Sequence, residues 1–377
     1  MDGIKILHTG DLHLGMPFTG SRLPSTVGRI RRQELWETFD RIIKIAKQEK
    51  VHLLLISGDL FEYDYCSMSD IKRINDRFAQ IPGTRVFIAP GNHDPAVSDS
   101  LYNTCRWQPN VHVFRESRVS AVKLEDYNTV VWGLGWDKAR IREPLLEGFE
   151  ADAGAVNILA VHCDVVPVGS ASDYLPVYSH QLAGCGVNYA ALGHIHKGGR
   201  INKSGGTEAV YCGSPEPLDF TEEGRHGIYM GMVGTNFCDV KFIETAKRRF
   251  VTERIILDPS GTQDTILEEI NKHIQTAGRD NLFKFLLEGS VDPGFEPDTE
   301  YLRNAFETFY TEIKNNTLPG YDLDSIREEG KHSITGVFAA QLLGRIKRET
   351  DPTEKEILER ALYIGLDALN GRKVTGR

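Results

Sequence analysis

The sequence predicts an α/β fold whose chemistry-bearing residues gather on the carboxyl edge of a sheet, and three observations point to it. The first is Leu53-Leu54-Leu55-Ile56-Ser57-Gly58-Asp59, four aliphatic residues running into a glycine and a carboxylate. A short unbroken apolar run fits a strand buried on both faces, and its end lies where open α/β sheets hold ligands. The second is that the pattern recurs: residues 4–7 precede Asp11 and His13, 86–89 precede Asn92, 158–161 precede His162, and 189–192 precede His194 and His196. The third is that segments with helical apolar spacing separate the early runs. Asp59 taken alone reads as a turn or helix cap. With its neighbours, it belongs to a set of imidazoles, carboxylates and an amide delivered to one rim.

The elements follow in order. Residues 5–10 form the first strand. Residues 17–28, rich in Gly, Ser, Thr and Pro, form a surface loop able to close over a substrate. Leu35, Phe39, Ile42, Ile43 and Ala46 mark one face of a helix. Arg29, Arg31 and Arg32 upstream are candidate phosphate contacts, with a solvated basic helix start as the plain alternative. A helix carrying Ile71, Ile74 and Phe78 leads to the strand at Val86, and Pro90 and Pro95 stiffen the turn that presents Asn92 and His93. His8 and His52 fall inside strand patterns and read as core or edge histidines. Strands follow at 119–124 and 129–134, with Trp132 and Trp136 packing. Residues 137–154 are charged and receive no function. After His162 come a long loop over 165–177 and a helix near 178–182. Lys197, Arg200 and Lys203 form a second basic set, a hairpin turns at Ser204-Gly205-Gly206, and strands at 226–233 and 238–243 complete this part.

Lys247-Arg248-Arg249 marks a composition shift, which divides the chain into 1–245, 246–330 and 331–377. The middle part reads as strand 250–257, a helix with Ile266, Ile270 and Ile274, strand 282–287, a helix with Leu302, Phe306, Phe309 and Ile313, and a short strand at 321–326. That is a small α+β unit without a catalytic constellation. The tail is a helical pair. One helix covers 335–348; the second opens at Asp351-Pro352-Thr353-Glu354, a cap with Pro at the first helical position, and stops at Asn370-Gly371.

Length suits two or three domains at 377 residues, and a net charge of −9 argues against a generally basic coat, so nucleic acid would need a local patch or bound metal. The six cysteines show no paired metal or disulfide spacing. No apolar stretch at the start resembles a signal peptide and no run approaches transmembrane length, so the expectation is a cytoplasmic protein with no membrane partner.

The fragments Asp11-Leu12-His13, Gly58-Asp59, Gly91-Asn92-His93-Asp94, His162 and Gly193-His194-Ile195-His196 carry a resemblance. In that order they resemble the signature of the calcineurin-like metallophosphoesterase superfamily and, within it, the SbcD-type DNA double-strand-break nucleases, over roughly 1–243. The resemblance implies a two-sheet β-sandwich flanked by helices, a capping domain that helps to hold DNA, and a C-terminal helical element that docks on an SbcC-like coiled-coil ATPase. It implies two divalent metal ions, Mn²⁺ by family, with Asp11, His13 and His196 on one, Asn92, His162 and His194 on the other, and Asp59 bridging. The donor set itself suits Mn²⁺, Fe²⁺ or Zn²⁺ better than Mg²⁺. Two such ions, ~3.5–4 Å apart, offset the charge that makes a phosphodiester a poor electrophile. His93 matches the family's non-ligand histidine, able to protonate the departing 3′-oxygen or to steady the pentavalent phosphorane, and Asp94 would orient it.

One position departs from the family pattern. Some members carry a second substrate-side histidine three residues after the bridging aspartate, where this chain has Glu62. The first function expected is a metal-dependent nuclease, exonuclease on duplex ends and endonuclease on single strands, acting on DNA with the ATPase; a homodimer is compatible with the sequence. A small-nucleotide phosphodiesterase or phosphatase would share every ligand without needing the cap. A metal-bound scaffold without catalysis is the third reading, and a Cys163 nucleophile is weaker still, because its side chain points away from that of His162.

Overall fold

The structure is a computed structural model and describes residues 3–19, 23–151, 154–201, 206–328, 330 and 332–372. It divides into two compact units, Met1–Arg249 and Phe250–Arg377, each described by itself.

The first unit runs β1 (Gly3–Thr9), α1 (Ser25–Gln48), β2 (Leu53–Ile56), α2 (Met68–Phe78), β3 (Arg85–Ile88), α3 (Leu101–Thr104), β4 (Val111–Val113), β5 (Ser120–Leu124) and β6 (Thr129–Leu134). It continues with β7 (Val156–His162), β8 (Asp164–Val166), β9 (Pro176–Tyr178), α4 (Ser179–Gly184), β10 (Tyr189–Gly193), β11 (Gly199–Arg200), β12 (Glu208–Tyr211), β13 (Gly227–Gly234) and β14 (Cys238–Glu244). One sheet has the order β14-β13-β1-β2-β3-β4 and the other β11-β12-β10-β7-β6-β5. β1 to β4 are parallel, as are β6, β7, β10 and β12, so strand after strand ends on the same side. The two sheets share one core: Ile4, Ile6, Leu53, Leu55 and Phe87 from the first meet Val131, Ile158, Ala160, Ala191 and Val210 from the second. All four residues of β2 are buried, the condition the unbroken aliphatic run implied. This is the expected two-sheet sandwich with helices in its crossovers. The segment expected as loop 165–177 is structured at both ends, where β8 and β9 pair in parallel.

The second unit is α/β rather than the expected α+β, because its strands pair in parallel across helical crossovers. Strands β15 (Phe250–Leu257), β16 (Leu282–Val291) and β17 (Tyr310–Asn315) are parallel, and β18 (Leu318–Pro319) pairs with β16. Helix α5 (Gln263–Ala277) buries Ile266, Ile270 and Ile274 with Phe283, Phe285 and Leu287 of β16. Two sequence assignments change here. The helix expected to hold Leu302, Phe306, Phe309 and Ile313 is only α6 (Thr299–Asn304), and Ile313 belongs to β17. Pairing with β16 supplies backbone partners that apolar spacing alone does not reveal. The strand expected at 321–326 is instead the start of α7 (Leu323–Glu328): Asp322 accepts from Ser325 N at 3.0 Å and caps it, a role hidden by the alternation of Tyr321 to Asp324. The tail helices α8 (Ile334–Ile346) and α9 (Pro352–Leu369) pack through Ala339, Leu362 and Leu366, with Tyr321, Leu323 and Ile326 against them. No helix among the described residues is long and apolar enough to cross a membrane.

Candidate metal centre

Parallel strands from both sheets end at one rim. β1 leads to Asp11 and His13, β2 to Asp59, and β3 to Asn92, His93 and Asp94; from the other sheet, β7 ends on His162 and β10 leads to His194 and His196. The turns are tight enough to force four of these residues to positive φ: Asp11 (47°), His13 (46°), Asp59 (48°) and His194 (103°). Such backbone costs of order 1–3 kcal/mol per residue and persists where neighbours over-determine it. Here Asp11 N donates to Gly58 O at 3.0 Å and His13 N to Asp59 O at 2.9 Å, so the loops after β1 and β2 hold each other. Two motif glycines are required by close approach. A Cβ on Gly58 would lie 2.3 Å from His162 Nδ1, and one on Gly193 would lie 1.8 Å from Ser57 O.

The side chains converge in two groups. His13 Nε2 and His196 Nε2 face each other at 3.1 Å, with Asp11 beside them. His162 Nε2 lies 2.9 Å from Asn92 Oδ1, and the His194 ring is 5.2 Å from that of His162. Between the groups, Asp59 Oδ2 is 3.7 Å from His13 Nε2 and 3.3 Å from His162 Nε2. Ligand atoms bound at ~2.1 Å with angles near those of tetrahedral or octahedral ions sit roughly 3–3.5 Å apart. The spacing therefore fits divalent cations, with Asp59 lying between the two groups.

The outer nitrogens strengthen the fit. His13 Nδ1 donates to Glu62 Oε1 at 2.7 Å, His196 Nδ1 to Glu222 Oε1 at 2.6 Å, and His162 Nδ1 to Ser57 O at 2.9 Å. With its proton on Nδ1, each neutral ring presents the Nε2 lone pair inward. Two lone pairs at 3.1 Å repel unless a cation or a proton accepts them. The neighbouring carboxylates favour a proton on two of the ligand rings. Burial opposes the charged form of His162, but Asp59 and Asp11 outweigh it and lift its pKa to about 9. Burial likewise opposes charging His196, and the Glu222 hydrogen bond with Asp11 raises it to about 9. His194 goes the other way, down to about 3, through burial and then the His162 charge.

Glu62 also accepts from His93 Nδ1 at 3.0 Å, so one carboxylate joins the non-ligand histidine to His13. Burial pushes Glu62 up, yet its hydrogen bonds to His13 and His93 bring it down to about 2. In return, the Glu62 hydrogen bond raises His93 against its burial. The orienting role expected for Asp94 is thus corrected. Its Oδ1 accepts from Asp59 N (3.0 Å) and Gly91 N (2.7 Å), its Oδ2 from Leu60 N (2.7 Å) and Tyr102 Oη (2.7 Å), and it is wholly buried. Asp94 staples the loops after β2 and β3 and leaves the His93 ring to Glu62.

The basic residues separate. Arg31 is corrected as a phosphate contact: it is fully buried, and its guanidinium donates to Glu34 (2.5 Å), Glu216 (2.8 Å) and Pro217 O (2.8 Å). Arg200 is tied to Glu208 and Val240 O. Arg29 and Arg32 are exposed, and Lys197 lines an open cleft of about 680 Å³ with His194, His196, Phe220 and Glu222. Lys203 lies outside the described residues. Residues that sequence reasoning passed over include Glu222, which belongs to none of the motif fragments, and Tyr174, whose ring lies 4.6 Å from that of His194.

Residues 4–198 match the family described as Calcineurin-like phosphoesterase. The chain is 25% identical over 234 residues to the uncharacterized metallophosphoesterase YhaO of Bacillus subtilis, covering 60% of this chain and 57% of that protein. It is 22% identical over 236 residues to the DNA double-strand break repair protein Mre11 of Methanopyrus kandleri, covering 58% and 50%. It is 24% identical over 263 residues to the SbcD component of the nuclease SbcCD of Escherichia coli, covering 59% and 63%. The matched stretches therefore span about half to two thirds of these curated relatives.

Proposed function

The chain belongs to the calcineurin-like phosphoesterase family, and on that premise we propose that it is a dimetal-dependent DNA nuclease working with an SbcC-like ATPase. The observation that carries this reading is the double convergence at the rim: two imidazole-rich groups with Asp59 Oδ2 within 3.7 Å of a ring nitrogen in each. Its direction toward DNA is supported by matches to Mre11 and to SbcD that are longer than the family stretch itself.

In this reading Asp11, His13 and His196 would hold one divalent cation and Asn92, His162 and His194 the other, with Asp59 placed to serve both. The donor set suits Mn²⁺, Fe²⁺ and Zn²⁺ alike, and the resemblance favours Mn²⁺. When bound, the pair supplies charge neutralisation at the phosphate and activation of a water at neutral pH. The residues do the rest. Glu222, Glu62 and Ser57 O fix the three ligand rings with Nε2 inward. His93, held through Nδ1, keeps its Nε2 for the substrate side, where it gives a proton to the departing 3′-oxygen. Glu62 favours the protonated ring by raising the His93 pKa above its ordinary value. Arg29, Arg32 and Lys197 are the proposed phosphate contacts, and α8 and α9, with Ile334, Val337 and Ile357 exposed, are the proposed ATPase-docking element.

The test compares linear duplex DNA, single-stranded circles, bis(p-nitrophenyl) phosphate and cyclic nucleotides with Mn²⁺. Degradation of duplex ends together with nicking of single strands is the expected result. Rapid turnover of the small diesters with intact DNA would replace the nuclease by a small-nucleotide phosphodiesterase.

A further inference from the structure

Behind the rim, three buried side chains from both sheets form a continuous hydrogen-bonded chain. His8 of β1 is fully buried and places Nδ1 2.9 Å from Tyr189 Oη of β10 and Nε2 2.8 Å from Ser57 Oγ, just past β2. Ser57 Oγ also donates to Ala191 O at 3.0 Å. A hydroxyl has one proton, and the carbonyl can only accept, so the direction of every bond follows. Tyr189 Oη–H donates to His8 Nδ1, His8 Nε2–H donates to Ser57 Oγ, and Ser57 Oγ–H donates to Ala191 O. The histidine is neutral in this arrangement, consistent with burial pushing its pKa down to about 3.

The chain touches one ligand through Ser57 and runs close in sequence to another. Ser57 O accepts the Nδ1 proton of His162 at 2.9 Å, and Ala191 lies three residues before His194. Ser57 is thus held through its side chain while its carbonyl sets the tautomer and rotation of a metal-facing imidazole. Gly193 admits that carbonyl, as its missing Cβ would stand 1.8 Å from the oxygen. The first sheet supplies Asp11, His13, Asp59 and Asn92, and the second supplies His162, His194 and His196. A fully satisfied buried polar chain holds the Ser57 side chain in one orientation, next to the carbonyl that faces His162.

We infer that Tyr189, His8 and Ser57 are positioning residues for the centre, setting His162 through the Ser57 carbonyl. This rests on the dimetal reading above. Loss of the chain should therefore weaken the cation held by Asn92, His162 and His194 and spare the one held by Asp11, His13 and His196. Outer hydrogen-bond partners of metal ligands typically change affinity about 10–100-fold. A general loss of fold would weaken both equally.

The experiment is a calorimetric Mn²⁺ titration of the full chain, paired with electron paramagnetic resonance to separate spin-coupled from mononuclear Mn²⁺. Wild type, Ser57→Ala and Tyr189→Phe are compared, the last removing a single hydroxyl if Ser57→Ala folds poorly. The expected result is two ions in wild type and, in the variants, a second ion bound ~10–100-fold more weakly, with a mononuclear signal at Mn²⁺ levels that give wild type its coupled one. The first ion should keep its affinity within about two-fold, a smaller change than that range. Variants that bind both ions as wild type does, or lose both together, overturn the positioning role. Wild type that binds one ion overturns the dimetal reading itself, and the wild-type arm alone reveals it.

Discussion

Replacing Glu62 by glutamine keeps the side chain's shape and removes one charge and one acceptor. In the native site both carboxylate oxygens are used, Oε1 by His13 Nδ1 at 2.7 Å and Oε2 by His93 Nδ1 at 3.0 Å. Both rings donate, so the amide must either turn its NH₂ toward one N–H or strip that ring of its proton. His13 needs its Nδ1 proton to present Nε2 inward, and His93 is the ring that yields. A hydrogen bond to a charged group contributes about 1.5–3 kcal/mol, which is roughly ten- to a hundred-fold in rate. The His93 side chain is 42% exposed, so screening places its share toward the lower end. The sign also follows. Glu62 raises the His93 pKa in the folded protein; in Glu62→Gln that support is gone, the acid form is lost at a lower pH, and the alkaline limb of the rate profile moves down. The assay is the pH dependence of kcat/KM on bis(p-nitrophenyl) phosphate and on duplex DNA at saturating Mn²⁺. A profile that overlays wild type would refute the coupling of Glu62 to His93.

Other outcomes follow from the same geometry. His93→Ala should bind both metal ions with unchanged stoichiometry and lose about 10²–10⁴ in kcat, the range for a removed general acid; unchanged DNA cleavage takes His93 out of the mechanism. Cation binding must expel the protons that hold His162 and His196 near pKa 9. Affinity should therefore rise with pH from neutrality toward 9, and calorimetry in buffers of different ionisation enthalpy should register proton release; a pH-independent affinity contradicts that. Arg31→Met takes one buried partner from Glu34, which keeps Arg248, and from Glu216, which keeps Thr38 and Lys247 N, at a cost toward the lower end of about 3–5 kcal/mol. For a unit of this size the fall in Tm should be roughly 6–20 °C. Lys197→Ala should keep Tm and reduce the salt slope of DNA binding by about one contact, and the reverse pattern would exchange the two assignments.

The sequence by itself determined the strand ends and the residues that stand on them. That information is local: an unbroken aliphatic run is a buried strand, and the glycine, carboxylate or imidazole that follows sits on its carboxyl edge. The α/β class was legible for this reason, as was the helical pair with its Asp351 cap, which accepts from Thr353 N at 2.8 Å; the two-sheet sandwich was legible only through the resemblance that the motif fragments carry. The tertiary structure decided which groups serve one another. Glu62 rather than Asp94 holds His93, Glu222 holds His196 from 26 residues away, Arg31 turns inward to Glu216 across 185 residues, and Tyr189 reaches His8 across 181. The third strand of the second unit was settled the same way, when β16 took Tyr310–Asn315 as its partner. A hydrogen bond or a strand pairing is made at about 3 Å in space, and once the chain has folded that distance bears no relation to separation along it.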